Sequence, residues 1–326
     1  MELPKGLVLA KPIAQESYDE SVIYDLERHD RLVITRKRDG WKILVHFDRN
    51  GEPRLYTDGL NEIDSRLDHI KSELKKLGFP PNTLAVGEGI VDVDDNDDLT
   101  KVISIFHSNL ARSLQLQETY GKINFMLFGA VSCGLDETFH SLGRSFLAVF
   151  RAKSVIEHRR LRYVSLAPIL RCNFDQAKRI VVEKGWEGLV LYDKSYGLAY
   201  RLDGRAPKRP RGCYKWKPIL EDDFIIRERI FRPNKEVLKE VVLLQIDPVS
   251  GKEFECGKLS SFSAKMLQRL GKVKLPIVVQ ARFEMRFPKS GKIRNARFVQ
   301  VRIDKPINQC IAPKSYPEEK VISLGK

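Results

Sequence analysis

Residues 32–47 read Leu32-Val33-Ile34-Thr35-Arg36-Lys37-Arg38-Asp39-Gly40-Trp41-Lys42-Ile43-Leu44-Val45-His46-Phe47. One predicted strand ends in Lys37-Arg38-Asp39-Gly40, and a second strand leaves it. In the second, Trp41, Ile43, Val45 and Phe47 share one face while Lys42, Leu44 and His46 take the other, a period of two. Gly40 permits a tight turn and lets a ligand approach the backbone. By itself the stretch is a charged hairpin turn, so its meaning depends on residues elsewhere in the chain.

Farther along, Glu88 stands between glycines in the apolar strand Val86-Gly87-Glu88-Gly89-Ile90. Phe128-Gly129 lies in an apolar run from Phe125 to Val131, and Glu187-Gly188 opens another apolar strand. In Lys215-Trp216-Lys217-Pro218 a spacing of two puts both ammonium groups on one face and Trp216 on the other. Two cations side by side in a core-like sequence call for an anion. Finally, Arg297 to Lys305 carries Val299, Val301 and Ile303 on an inward face, with Arg302 and Asp304 together outside.

The chain has 326 residues, 42% of them hydrophobic and 31% charged, which suits two globular domains. Lys and Arg outnumber Asp and Glu by 57 to 43, a formal charge of +14 that argues for a polyanionic partner. Five scattered cysteines and six scattered histidines show no paired metal spacing, so reduced thiols in an intracellular protein are expected (cytoplasmic, nucleoid-associated or nuclear), with no disulfide framework. There is neither a signal-peptide pattern nor an 18-residue apolar run, and no membrane is expected. Helices are expected over 62–77, with Ile63, Leu67, Ile70, Leu74 and Leu77 on one face and Gly78 as its stop, and from Asn173 to Gly185. Beyond Pro218 the chain turns strand-rich: 224–230, 237–247, 278–286 and 297–303, with one short helix at 263–270. Segments 94–122 and 203–212 are the candidate loops for gripping a polyanion. The second holds Arg205, Lys208, Arg209 and Arg211 between prolines.

In order, Lys-x-Asp-Gly, Gly-Glu, an aromatic strand, Glu-Gly, Lys-x-Lys and Arg-x-Asp-Lys resemble the ATP-dependent DNA ligases. These belong to the covalent nucleotidyltransferases, with the RNA ligases and mRNA capping enzymes. The resemblance spans residues 30–306. It implies an α+β fold: a nucleotidyltransferase domain of ATP-grasp-like antiparallel sheets with helices (1–219), an OB-fold β-barrel (220–306) and a polar C-terminal tail (307–326). It implies ATP, with AMP carried on Lys37, a Mg2+ or Mn2+ ion, nicked duplex DNA as partner, and a monomer. Asp39 joins Lys37 in the catalytic set. Thr35 and Arg36 would meet the adenine, with Gly40 and Lys42 beside the nucleotide. Phe128 would stack on the base, and Glu88 would contact the ribose or help hold metal. Glu187 would bind the metal, Lys215 and Lys217 the α-phosphate, and Arg302 with Asp304 would orient the departing pyrophosphate. The residue types suit the chemistry. A nucleophilic lysine must be neutral although an ordinary one titrates near 10.4, and in-line displacement at phosphorus is helped mainly by cations.

The chain departs from the ligase pattern at three places. Lys42 stands where many ligases have Arg, without the bidentate fork. Thr57-Asp58 replaces a usual Ser-Arg pair that often helps sense the nick phosphate, and Gly129 follows Phe128 where Asp is usual. RNA or mixed-strand ligases therefore stay open as an alternative, although many lack the Arg-x-Asp-Lys barrel. Capping enzymes usually open the fourth motif with Asp, and NAD-dependent ligases add a four-cysteine zinc module. A basic OB-fold binding module would take no covalent nucleotide.

Overall fold

The computed structural model describes residues 6–93, 96–132, 156–157, 160–196, 198–209, 211–233, 238–260, 262–263, 266, 270–287 and 290–316. The chain divides into two compact units, Met1–Lys217 and Pro218–Lys326.

Among the described residues two larger sheets build the first unit, beside the short pairs 8–9 with 200–201 and 92–93 with 96–97. Strand β1 (Leu32–Lys37) runs through the hairpin into β2 (Trp41–Phe47), followed by β3 (Pro53–Thr57), β4 (Thr83–Ile90), β5 (Asn124–Ser132), β6 (Val164–Leu166), β7 (Gly188–Asp193) and β8 (Cys213–Trp216). The hairpin does not keep its strands together. Strand β1 pairs with β7, which pairs with β8, while β2 lies between β3 and β4 in a sheet ordered β3-β2-β4-β5-β6. Register sets Lys37 opposite Gly188 and Lys42 opposite Glu88. These ladders are antiparallel except for β5 with β6.

The alternation in β2 separates two cores. Ile43, Val45 and Phe47 join Leu67, Ile70 and Leu74 of the helical layer, whereas Leu44 packs with Leu84, Val86 and Tyr200 on the opposite face. Among the described residues five α-helices cover the sheets: α1 (Ser21–Arg28), α2 (Asp68–Leu74), α3 (Leu99–His107), α4 (Leu110–Tyr120) and α5 (Phe174–Lys184). Helices α1 and α5 bury Ile23, Phe174, Ala177 and Val181 against Ile34 and Leu189 of the three-stranded sheet. Helix α5 begins in a capping box of Asn173 with Gln176 and ends at left-handed Gly185, as its sequence predicts.

Two expectations are corrected in this unit. The helix expected over 62–77 is α-helical only from Asp68 to Leu74, flanked by 3-10 turns, because Glu62 bridges to Tyr56 and keeps the chain extended there. The expected apolar face is nonetheless buried throughout, and Gly78 stops it in the left-handed conformation. The candidate loop 94–122 consists largely of α3 and α4, started by the side-chain caps Asp98 and Asn109.

Among the described residues the second unit is built on a six-stranded antiparallel sheet, β9 (Leu220–Ile226), β10 (Arg229–Phe231), β11 (Leu238–Ile246), β12 (Glu253–Leu259), β13 (Ile277–Phe283) and β14 (Arg297–Val301), beside a short antiparallel pair of 285–286 with 293–294. Strand β11 pairs with β12 on one side and with both β9 and β10 on the other, so β9 and β10 act as one bent strand. Strand β13 joins β9 to β14. Phe224, Leu243, Val279 and Ala281 fill the core. Strand β12 was not anticipated, because its charged alternation Glu253, Glu255, Lys258 hides a half-buried strand. The last strand ends at Val301, and Ile303 is 96% exposed rather than inward. The segment expected as a polar tail docks at its start. Cys310 is buried beside Ile225 and Val278, and Ser315 donates to Asp247. The expected helix 263–270 falls mostly outside the described residues.

Candidate active site

Because β1 and β2 belong to different sheets, the turn joining them sits at the mouth of the space between. A cavity of about 300 Å³ opens there. From the three-stranded sheet, Thr35, Arg36, Lys37, Val190 and Lys215 line it; from the five-stranded sheet, Lys42, Val86, Glu88, Met126 and Phe128. Phe128 is 36% exposed. It lines the cavity together with apolar Val86, Met126 and Val190, a set suited to a planar ring. The Thr35 hydroxyl donates to the Val190 carbonyl at 3.3 Å.

The chemistry concentrates at Lys37. Its Nζ lies 2.6 Å from Glu187 Oε2, and Lys217 Nζ lies 3.0 Å from Glu187 Oε1. Glu187 is buried. It sits just ahead of β7, and the Lys37–Gly188 register brings it to Lys37. Trp216 is buried among Phe174 and Leu189, which sends its neighbours Lys215 and Lys217 to the opposite side of β8. Lys215 then lines the cavity and Lys217 reaches Glu187. Gly188 allows the approach: a Cβ there would collide with the Trp216 carbonyl oxygen and lie 3.2 Å from Lys217 Cα.

Burial, above all, pushes the Glu88 carboxyl up to about 7; Lys37 pulls it back, and Glu187 and Asp39 add to the rise. The Glu187 and Lys37 charges are thus both felt at Glu88, with opposite sign. Among the described residues no cluster of three or more His, Cys, Asp or Glu side chains forms a metal cage.

Asp39 and Gly40 do not line the cavity. Asp39 is buried, and its amide donates to Asp97. Gly40 presses on β4, where a Cβ would meet Ile90 Cγ2 at 2.8 Å and Glu88 Cγ at 2.9 Å. The need for glycine there is thus strand packing. Arg302 and Asp304 belong to the second unit, where Arg302 grips Asp304 through two 2.9 Å bonds and reaches Asp223 at 3.2 Å. Two of the three departures from the ligase pattern meet each other: Lys42 Nζ pairs with Asp58 Oδ1 at 2.6 Å, and both line the cavity. Sequence reading missed Lys11 and Arg38 as lining residues. Of the basic loop, Arg209 lines the cavity, while Arg205 pairs with Asp203.

Comparison with solved structures shows which proteins share this fold. The chain matches a protein named Pmar-Lig_Pre over 92% of its own length and 69% of that chain, at 18% identity and a TM-score of 0.63. It matches a structure described under Lig E DNA ligases and DNA binding with a minimal scaffold, over 91% of its length and 99% of that chain (18% identity, TM-score 0.60). It also matches the ATP-dependent DNA ligase of bacteriophage T7 in complex with ATP, over 90% of its length and 98% of that chain (15% identity, TM-score 0.51). The chain has the fold of the ATP-dependent DNA ligases. No family model and no curated protein matches the sequence. The ligase fold therefore rests on backbone arrangement, which persists after sequence identity has been lost. Among the described residues no helix is long and apolar enough to cross a membrane.

Proposed function

We propose that the chain is an ATP-dependent DNA ligase that seals a 3′-hydroxyl to a 5′-phosphate at a nick in duplex DNA. The observation that carries the reading is Lys37 on the cavity wall, paired with buried Glu187, whose other oxygen holds Lys217.

In the first step Lys37 Nζ gives up a proton, for which Glu187 Oε2 at 2.6 Å is the contacting acceptor. The nitrogen attacks the α-phosphorus of ATP; a P–N bond forms, the bond to the bridging oxygen breaks, and pyrophosphate leaves. Lys215 and Lys217 offset charge on the α-phosphate, and Phe128 stacks on adenine. A 5′-phosphate oxygen next attacks the AMP phosphorus, breaking the P–N bond and releasing Lys37. The 3′-hydroxyl then attacks the activated phosphate and AMP leaves. Glu187 and Glu88 suit Mg2+, which commonly takes one or two carboxylates and completes its shell with water and substrate phosphates. When bound there, it would neutralise phosphate charge. Arg302 and Asp304 serve the departing pyrophosphate. We assign the second unit to the OB-fold, supported by five effective strands in its larger sheet, among the described residues, once β9 and β10 count as one. The +14 charge supports a nucleic-acid partner.

The test is incubation with α-labelled ATP and magnesium, then denaturing electrophoresis. Label should appear on the wild type and vanish in Lys37→Ala; a wild type without label refutes the reading. Asp58, pairing with Lys42 where ligases usually carry a cation, favours RNA-containing strands as a second reading. Sealing assays varying the sugar on each side of the nick separate the two.

A further inference from the structure

The segment after β4 returns a carboxylate to the lysine turn. Asp97 ends the short strand pair 92–93 with 96–97. Its side chain is only 4% exposed, yet it meets three neighbours at once. Arg38 donates Nε to Oδ1 at 2.7 Å, with Nη2 at 2.6 Å from the same oxygen. The Asp39 amide donates to Oδ2 at 2.8 Å, and Arg36 Nη2 reaches Oδ2 at 3.4 Å. The Arg36 and Arg38 side chains both meet Asp97, whereas the Lys37 side chain meets Glu187. Asp97 thus grips both residues that flank the reactive lysine. Arg36 also lies 4.3 Å over the ring of Trp186, the residue before Glu187. One buried chain of contacts therefore runs from Asp97 through Arg36 and Trp186 to the carboxylate that holds Lys37.

We propose that Asp97 is a positioning residue for the covalent step: it fixes the backbone on both sides of Lys37, and so the line of attack of Nζ on the α-phosphorus. The proposal rests on the ligase reading. It goes beyond it by assigning a function to a residue outside every motif of the resemblance. A carboxylate serving only stability would change the melting temperature and leave the reactivity of the folded protein alone. A positioning carboxylate instead separates binding from chemistry. Nucleotide would still enter the cavity, but the nitrogen would be misaligned, and a misplacement near 1 Å can cost about 100-fold in rate.

The experiment uses the full chain carrying Asp97→Asn, which keeps shape and removes charge. Two quantities are read: the dissociation constant of a non-hydrolysable ATP analogue, and the single-turnover rate of labelling from saturating ATP. The expected result is an affinity within about threefold of wild type and a rate lower by about 100-fold. Should that variant not fold, Asp97→Glu keeps the charge and displaces the carboxylate, and the same split is expected. Wild-type rates in the folded variant, or a fall in rate matched by an equal fall in affinity, overturn the proposal. If even the wild type takes no label from ATP, the ligase reading fails separately. Pyridoxal 5′-phosphate, reduced onto lysines by borohydride and located by peptide mass, then decides for Asp97. It should mark Lys37 in wild type and much less in the variant, and equal marking overturns the proposal.

Discussion

Gly188→Ala tests the packing that assembles the site. A Cβ at this position would fall well inside contact distance of the Trp216 carbonyl oxygen and 3.2 Å from both Lys217 Cα and Cγ. The obstacle is mainly backbone, so no side chain can swing aside. To reach ordinary contact, β8 must retreat by about 1 Å. That stretches the 3.0 Å Lys217–Glu187 pair beyond hydrogen-bond range. Overpacking costs about 1–3 kcal/mol. Weakening a charged, buried hydrogen bond costs about 1.5–3 kcal/mol more. In a unit of this size the sum lowers Tm by on the order of 10 °C. Displacement of Lys215 and Lys217 should also slow lysine labelling by about 100-fold. Differential scanning calorimetry and single-turnover labelling read the two effects. A variant that melts within a degree of wild type and labels equally fast overturns this account of the packing.

Glu88→Gln should stabilise the protein relative to wild type as pH rises from 5 to 8. Glu88 is raised from 4.5 to about 7, so the folded chain keeps a proton that the unfolded chain has released, and this contribution is lost as pH climbs through 7. The full difference is about 3 kcal/mol, readable in urea midpoints, and a gap that does not vary with pH rejects it. His46 is buried, neither ring nitrogen has a hydrogen-bond partner among the described residues, and burial lowers its pKa. Wild type should therefore lose stability against His46→Leu as pH falls below 6.5, where the unfolded histidine takes a proton; parallel pH–stability curves would contradict this. Arg302→Ala should block labelling of Lys37 while leaving sealing of a pre-adenylylated nick intact, and equal loss in both assays removes the assigned role.

Local elements and chemistry-bearing positions were legible in the sequence without any coordinates. Period-two alternation in 41–47 fixed which side chains enter which core, because neighbouring residues on a strand must face opposite ways. Asn173 and Gly185 marked a helix by cap chemistry that needs no distant partner. Lys37, Glu187 and Lys217 stood out as charges set in apolar strands, where a charge needs a counter-charge. Which charges meet was settled by the folded arrangement alone. Lys37 and Glu187 are 150 residues apart, and only the pairing of β1 with β7 brings them to 2.6 Å. Glu73 shows the same limit: on the sequence it is one acid of an amphipathic helix, yet it is buried and accepts from the amides of Arg162, Tyr163 and Val164. Asp97 gave no local signal either, since its value lies in the arginines it faces. Local pattern is carried by neighbours along the chain, whereas ion pairs and cavities depend on which strands lie side by side, a choice made by the burial of the whole core.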